Sequence, residues 1–345
     1  MNGNYPHIFC ATICLCLSLL SCEKSAEELT PAPIFPALGE IPKGFPAMPV
    51  PADNAFTQSR WELGKKLFFD PVLSVDGTKS CASCHLPAKA FSDETAVSFG
   101  VEERPGRRNT PSLANIGYHP YFTREGGVPT LEMQVLVPLQ EEHEFDFNIV
   151  LAAERLQADR DYVRRSLAAY DRAPDAFVIT RALACFERSL VSGSSAYDRY
   201  IIGEDASALS AAARRGMQLF FSAETACADC HAGFNFTDYS FANNGLYLAY
   251  ADAGRRQLTG EETDEALFKT PSLRNVALTA PYMHDGSVQT LEEVVTHYNS
   301  GGQNHPNRSE KIRPLHLTDT EQADLAAFLR SLTDEGFVSN PLFFE

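Results

Sequence analysis

Two copies of one pentapeptide carry the clearest chemistry in the chain: Cys81-Ala-Ser-Cys84-His85 and Cys227-Ala-Asp-Cys230-His231. Two thiols three residues apart can each form a thioether with one vinyl group of a haem, and the adjacent histidine then falls beneath the iron as its proximal ligand. Zinc half-sites and redox dithiols also use Cys-x-x-Cys, but neither requires the histidine. Structural zinc needs four clustered ligands, and the two pairs here lie 146 residues apart. The pattern implies two covalent c-type haems, held by Cys81, Cys84, Cys227 and Cys230 and ligated by His85 and His231.

A repeat positions these motifs. Thr110-Pro-Ser-Leu113 recurs as Thr270-Pro-Ser-Leu273, an offset of 160. Asn115 matches Asn275, Gly126 matches Gly286, and Thr130-Leu-Glu132 matches Thr290-Leu-Glu292 at the same offset. Each copy follows one Cys-x-x-Cys-His, so the chain reads as two related haem domains from an internal duplication. At that offset Pro138 corresponds to Tyr298. A proline side chain cannot ligate iron, whereas a tyrosine phenolate can. The spacing therefore suggests one haem capped by Tyr298 and another open to a small ligand, with His297, His284 and Met283 as competing ligands at the second.

The elements that must hold these residues read as mainly α with much irregular chain. Asp53-Asn54 is expected to cap a helix running to about Phe68. Further helices are expected over 130–140, 159–170, 174–192, 206–221, 290–299 and 318–332, the last opened by the capping box Thr318-Asp-Thr-Glu321. The domain reading is a signal peptide over 1–21, a lipidated N-terminus and Pro-rich tether over 22–51, an N-terminal haem domain over 52–200, and a C-terminal one over 201–345.

Composition narrows the partners. The 345 residues carry a formal net charge of −16, which argues against nucleic acid or an anionic membrane surface and suits a basic protein partner. The first 21 residues hold no Lys, Arg, Asp or Glu, and the apolar run Ile8 to Leu20 is too short to span a bilayer. It ends in Leu19-Leu20-Ser21-Cys22, similar to a bacterial lipobox, so export to the periplasmic side with a lipid anchor at Cys22 is expected. Cys10, Cys14 and Cys16 belong to the segment removed. Cys185 reads as a buried small hydrophobe, and no structural disulfide is expected.

Leu63-Gly-Lys-Lys-Leu-Phe-Phe-Asp70, Leu73-Ser74, Ser80-Cys-Ala-Ser-Cys-His85, Arg108-Asn-Thr-Pro111 and Ala280-Pro-Tyr-Met-His-Asp-Gly286 resemble the bacterial dihaem cytochrome c peroxidase family over roughly residues 55–335, with its MauG-like subgroup. The resemblance implies two cytochrome c-like domains with a calcium ion between them, a peroxide-reacting N-terminal haem and an electron-transferring C-terminal haem. The distal Gln, Pro and Glu of that family fall on Gln134, Pro138 and Glu144. Glu144 is then the acid–base group for hydrogen peroxide, Gln134 orients it, and a small cytochrome c or cupredoxin donates the electrons. The calcium positions fall on Asn109, Thr279 and Pro281, the last two through backbone carbonyls. Tyr298 stands where MauG-like members place a tyrosine ligand. No histidine lies between His85 and His119, so the loop histidine that blocks the resting N-terminal haem of typical peroxidases has no counterpart. The family's inter-haem tryptophan is also missing: the stretch reads Arg124-Glu125-Gly126-Gly127, leaving Tyr118, Tyr121 or direct haem proximity to carry electrons. The only tryptophan, Trp61, reads as core packing. The alternatives to a peroxidase are a MauG-like oxidase acting on a partner protein and a plain dihaem electron carrier, for which Gln134 and Glu144 would be superfluous.

Overall fold

In the computed structural model, which describes residues 1–3 and 41–345, the chain from residue 41 onward is helical with long irregular connections. Export, lipidation and the start of the tether fall on residues 4–40 and lie outside the described residues. Among the described residues no helix is long and apolar enough to cross a membrane. The described end of the tether is laid on the body as expected. Arg188 Nε donates to Pro49 O at 3.2 Å, and Gly193 packs so close to Pro42 that a Cβ would meet its ring at 2.5 Å.

Two hydrophobic clusters, one per repeat, form the core. The first contains Trp61, Leu67, Phe68, Phe91, Leu183 and Phe186. Helix α1 (Gln58–Phe69) crosses α6 (Ala176–Arg188) there. Helices α2 (Leu131–Gln134), α3 (Leu136–Gln140), α4 (Ile149–Gln157) and α5 (Arg160–Tyr170) surround that crossing. The second cluster contains Phe220, Phe236, Leu291, Leu325 and Phe328. It is built on α8 (Ala211–Phe220), α10 (Leu291–Ser300) and α11 (Asp319–Arg330), with α7 (Ala196–Ile201) leading in.

The two crossings are copies of each other, and each demands a glycine. A Cβ on Gly64 would stand 1.9 Å from Ala182 O, and one on Gly216 would stand 1.9 Å from Asp324 O. Such backbone-to-backbone approach admits no larger residue. Around these glycines Gly64-Lys-Lys-Leu67-Phe68-Phe69 parallels Gly216-Met-Gln-Leu219-Phe220-Phe221, a repeat unit upstream of the motifs noted above.

Several expectations need correction. Thr57, not Asp53-Asn54, caps α1 by accepting from Arg60 N. Asn54 is buried and donates to Glu132 Oε1 at 2.9 Å and to Arg181 O at 3.0 Å, so its amide serves a tertiary contact. The expected helix over 130–140 is split at Val135. The helix expected over 206–221 is confined to Ala211–Phe220. Helix α4, capped by Asn148, was not anticipated. After α12 (Glu335–Val338), Phe337 and Phe343 return to the first core and pack on Phe91 with centroids 5.8 and 6.0 Å away. The last stretch of the 201–345 segment therefore completes the first domain. Cys185 is buried with its thiol pushed up to about 12 by desolvation. Trp61 is buried against Phe186 and donates to Ser189 Oγ.

Two short strands, β1 (Phe241–Ala242) and β2 (Phe268–Lys269), pair antiparallel with Phe241 opposite Lys269. They belong to the second repeat and lie against the loop that carries Arg124.

Candidate functional site: two haem-binding pockets

Each Cys-x-x-Cys-His folds as a single 3-10 turn, Cys81–Ser83 and Cys227–Asp229. His85 N and His231 N close it on Cys81 O and Cys227 O. This geometry holds both thiols and the imidazole along one short stretch. His85 Nδ1 lies 2.8 Å from Phe91 O, and His231 Nδ1 lies 3.1 Å from Phe236 O. The carbonyls of Pro111 and Pro271, from the repeated Thr-Pro-Ser-Leu, also face these rings. A carbonyl at Nδ1 fixes the proton there and leaves Nε2 as the free lone pair, and burial holds both rings neutral. A neutral, oriented imidazole is what an iron ligand must be. The donor set fits two c-type haems, with Cys81, Cys84 and His85 on one and Cys227, Cys230 and His231 on the other.

The supporting bonds repeat as well. Ser92 Oγ donates to Thr110 O at 2.8 Å, and Thr237 Oγ1 donates to Thr270 O at 2.7 Å. Asn115 and Asn275 both take left-handed φ values, 60° and 58°, and their N–H groups donate to Leu190 O and Leu332 O. Asn115 is one of the few residue types that tolerate this conformation, which explains its recurrence.

Beyond these shared supports the halves diverge. In the first, Pro138 has no N–H to give to Gln134 O, and its ring would crowd that carbonyl; the helix breaks there into α2 and α3. Gln134 Oε1 is buried without a hydrogen-bond partner, a polar atom available to a ligand. Gly100 approaches so closely that a Cβ would stand 2.2 Å from His143 O, and Val101 N donates to Glu144 O at 2.9 Å. These contacts hold Glu144 within electrostatic reach of Cys81 and Cys84. Desolvation, with the like charge of Glu141, pushes the Glu144 carboxyl up to about 7. Glu144 is nevertheless an exposed residue, which softens desolvation. The upward direction still follows, because no cation pairs with it among the described residues. His143 Nε2 is 3.3 Å from Glu142, and its Nδ1 is buried without a partner.

In the second half α10 runs unbroken, with Thr290 and Glu293 forming a capping box. Tyr298 lies within electrostatic reach of Cys227 and Cys230, and Asn244 hydrogen-bonds its phenol. The competing residues lie close by, two of them on the same Asn244. His297 Nε2 meets Asn244 O at 3.0 Å, His284 stacks on Phe268 with centroids 4.4 Å apart, and Met283 Sδ accepts from Asn244 Nδ2. Burial raises the Tyr298 phenol, so it gives up its proton only beside a strong cation such as ferric iron.

Residues 58–206 match the model of the di-haem cytochrome c peroxidase family, and residues 213–333 match that of cytochrome c. The chain is 39% identical over 295 residues to a methylamine utilization protein MauG from Methylorubrum extorquens, covering 84% of this chain and 82% of that protein. It is 35% identical to the cytochrome-c peroxidase IdrP1 of Denitromonas iodatirespirans, covering 87% of each. The chain belongs to the di-haem cytochrome c peroxidase family. A solved MauG-like protein associated with microbial copper homeostasis superposes with a TM-score of 0.84 at 37% identity, over 88% of this chain and 98% of that one. The family accounts for a haem-bearing oxidoreductase with two c-type haem domains.

One pocket residue had no signal in the sequence. Glu187, on α6, lies within electrostatic reach of Cys81, and burial pushes its carboxyl up to about 8. Only the packing of α6 beside the first motif reveals it.

The halves meet through aromatic and charged groups. Tyr118 edges Phe234 at 5.0 Å, His119 edges Tyr239 at 4.9 Å, and Tyr121 stacks on Phe241 at 5.3 Å. Lys269, held down to about 8 by desolvation and by Arg124, has no carboxylate within ion-pair distance among the described residues. Its Nζ donates to Tyr121 O at 2.9 Å.

The calcium positions do not present a calcium site. Asn109 is buried, but Arg124 Nη2 donates to its backbone oxygen at 2.6 Å and stands 3.4 Å from its Oδ1. Calcium binds oxygen at about 2.3–2.6 Å, so an ion on Oδ1 would sit roughly 6 Å from the guanidinium. At an effective dielectric of ~20 the repulsion is about 5 kcal/mol. Thr279 and Pro281 precede His284, whose carbonyl accepts from Asn109 N at 2.8 Å. No step of the chemistry is assigned to calcium.

Proposed function

We propose that this protein is a periplasmic peroxidase that reduces hydrogen peroxide to water with electrons from a small redox protein, a cytochrome c or cupredoxin. Haem iron would supply the peroxide-binding site and hold the two oxidising equivalents delivered by peroxide until the donor's electrons refill them. The chain's own residues decide which haem reacts. The asymmetry of the two halves supports the reading: Glu144 lies within electrostatic reach of Cys81 and Cys84, Gln134 Oε1 is buried without a partner, and Tyr298, where the first half has Pro138, lies within electrostatic reach of Cys227 and Cys230.

Glu144, with its carboxyl near neutrality, accepts the proton that peroxide loses on binding and returns it to the departing oxygen. Gln134 orients the peroxide through its uncommitted amide oxygen. Tyr298 closes the second pocket to small ligands, leaving that half to store and pass electrons. The test is stopped-flow spectroscopy of the as-isolated diferric protein mixed with peroxide. A rapid change without prior reduction supports an open first pocket, as the histidine-free stretch Leu86 to Tyr118 suggests. A first haem that stays six-coordinate and inert until reduced overturns it. Export and a lipid anchor at Cys22 are part of this proposal and are checked by mass spectrometry of the native N-terminus.

Oxidation of a partner protein is the second reading, favoured by Tyr298 and by the similarity to proteins named MauG. Trp61, the chain's one tryptophan, is buried and offers no surface relay. A peroxide-driven mass change in a partner, without an electron donor, would decide for this reading. Fast turnover with reduced cytochrome c decides for the peroxidase.

A further inference from the structure

The loops over 122–128 and 282–288 are structural copies. Phe122 N donates to Val128 O at 2.7 Å, and Tyr282 N donates to Val288 O at 2.6 Å. Gly126 and Gly286 have φ of 77° and 68°, and Thr123 and Met283 have φ of 64° and 76°. Both loops converge on Asn109. The second reaches it through its backbone, where His284 O accepts from Asn109 N. The first reaches it through a side chain, the Arg124 guanidinium, which takes Asn109 O at 2.6 Å. The backbone of Arg124 also crosses to the second half, its carbonyl accepting from Lys269 N on β2 at 2.6 Å.

Arg124 is not held there by an ion pair. No carboxylate lies within ion-pair distance of it among the described residues, its Nε is buried without a partner, and Glu125, Asp252 and Asp285 attract it from further away. Arg108 repels it and is itself clamped between Glu125 and Asp252 of the second half, with Arg108 Nη2 to Asp252 Oδ1 at 2.9 Å. The guanidinium therefore sits in a mixed-charge seam between the halves, with its directed donors on the oxygens of Asn109.

We propose that Arg124 is a built-in cation of the junction between the two haem domains, its guanidinium standing on Asn109 in place of a bound divalent metal ion. A metal holds such a junction by taking oxygens from both sides; Arg124 holds it by donating to Asn109 with its side chain and accepting from Lys269 with its backbone. A tethered charge cannot be removed by a chelator, so the junction should be indifferent to calcium.

The experiment uses the haem-loaded protein and reads metal content and unfolding, independent of peroxide turnover, so its failure leaves the peroxidase reading untouched. After treatment with EGTA and desalting, elemental analysis should find substoichiometric calcium. Tm and the haem absorption spectrum should be the same with calcium or with EGTA. Arg124→Gln should then gain calcium affinity by about tenfold or more, from loss of one nearby positive charge, seen by calorimetric titration and as a calcium-dependent rise in Tm. Arg124→Lys, which keeps the charge, should stay calcium-insensitive; it also serves if the glutamine variant does not fold. One calcium per wild-type chain whose removal lowers Tm or shifts the haem spectrum overturns the proposal. So does an Arg124→Gln protein that folds and still ignores calcium.

Discussion

The helices that begin with Thr130-Leu-Glu132 and Thr290-Leu-Glu292 start alike and end in different chemistry. In both, the threonine caps the helix by accepting from the N–H three residues on, at 3.2 Å. In both, the glutamate reaches an arginine on the last helix of its own core, Arg188 on α6 or Arg330 on α11. The first pair is buried, with side chains 6 and 7% exposed, and Asn54 adds a hydrogen bond; the second lies at the surface, 51 and 56% exposed. Eight residues past each threonine, Pro138 breaks one helix beside an unpartnered Gln134, whereas Tyr298 continues the other toward the cysteine motif. Duplication preserved the frame around His85 and His231, and the helices that follow Thr130 and Thr290 diverged.

The largest effects should come from separating the halves. The double variant Cys81→Ala with Cys84→Ala should leave one covalent haem, and Cys227→Ala with Cys230→Ala should leave the other, counted by haem stain after denaturing electrophoresis and by mass. Two retained haems in either would end the comparison.

Within the first pocket, Glu144→Gln should keep both haems yet slow the peroxide step by roughly 10²–10⁴-fold, the scale of a positioned acid–base group. With its carboxyl raised to about 7, Glu144 is protonated below that pH and a base above it. The wild-type rate should climb as pH rises through about 7, and the variant should lose that rise. The same raised carboxyl favours the folded chain at low pH, and that contribution disappears as pH rises through about 7. A pH profile unchanged by the substitution would remove Glu144 from the mechanism.

The two glutamates sharpen the comparison by stability. Glu132→Gln leaves Arg188 buried and short of its counter-charge, and should cost about 3–5 kcal/mol. Glu292→Gln removes an exposed pair and should cost about 0–1 kcal/mol. Denaturant titration of both variants measures the gap, and equal losses would mean that the burial difference has no energetic consequence.

The smallest expected change is spectroscopic. Tyr298→Phe should alter the low-spin signature and potential of the second haem alone, leaving the first half's reaction with peroxide in place. An unchanged spectrum would point to another ligand, with His297 next in the chain.

Much of this was legible in the residues. Covalent attachment needs two thiols and a histidine at fixed local spacing, so Cys81 to His85 and Cys227 to His231 announce themselves without a fold. The repeat of Thr-Pro-Ser-Leu was visible as well, although its purpose was not: the carbonyls of Pro111 and Pro271 face the proximal rings only after the chain returns over them. The pairing of Pro138 with Tyr298 was accessible because Thr130-Leu-Glu132 and Thr290-Leu-Glu292, just upstream, share the offset of 160. Other features depend on partners distant in sequence. Asn54 resembles a helix cap but spends its amide on Glu132, 78 residues away. Phe337 and Phe343 cross back to the first core. Glu187 enters the first pocket because of a helix crossing at Gly64. Arg124 has no local pattern that would place it on Asn109. Local spacing dictates bonds made within a few residues, so the sequence by itself determined the haem attachment and the duplicated plan. Burial, counter-charges and the seam between the halves are set by long-range packing, and only the tertiary structure decided which pocket carries an acid near neutrality and which cation stands between them.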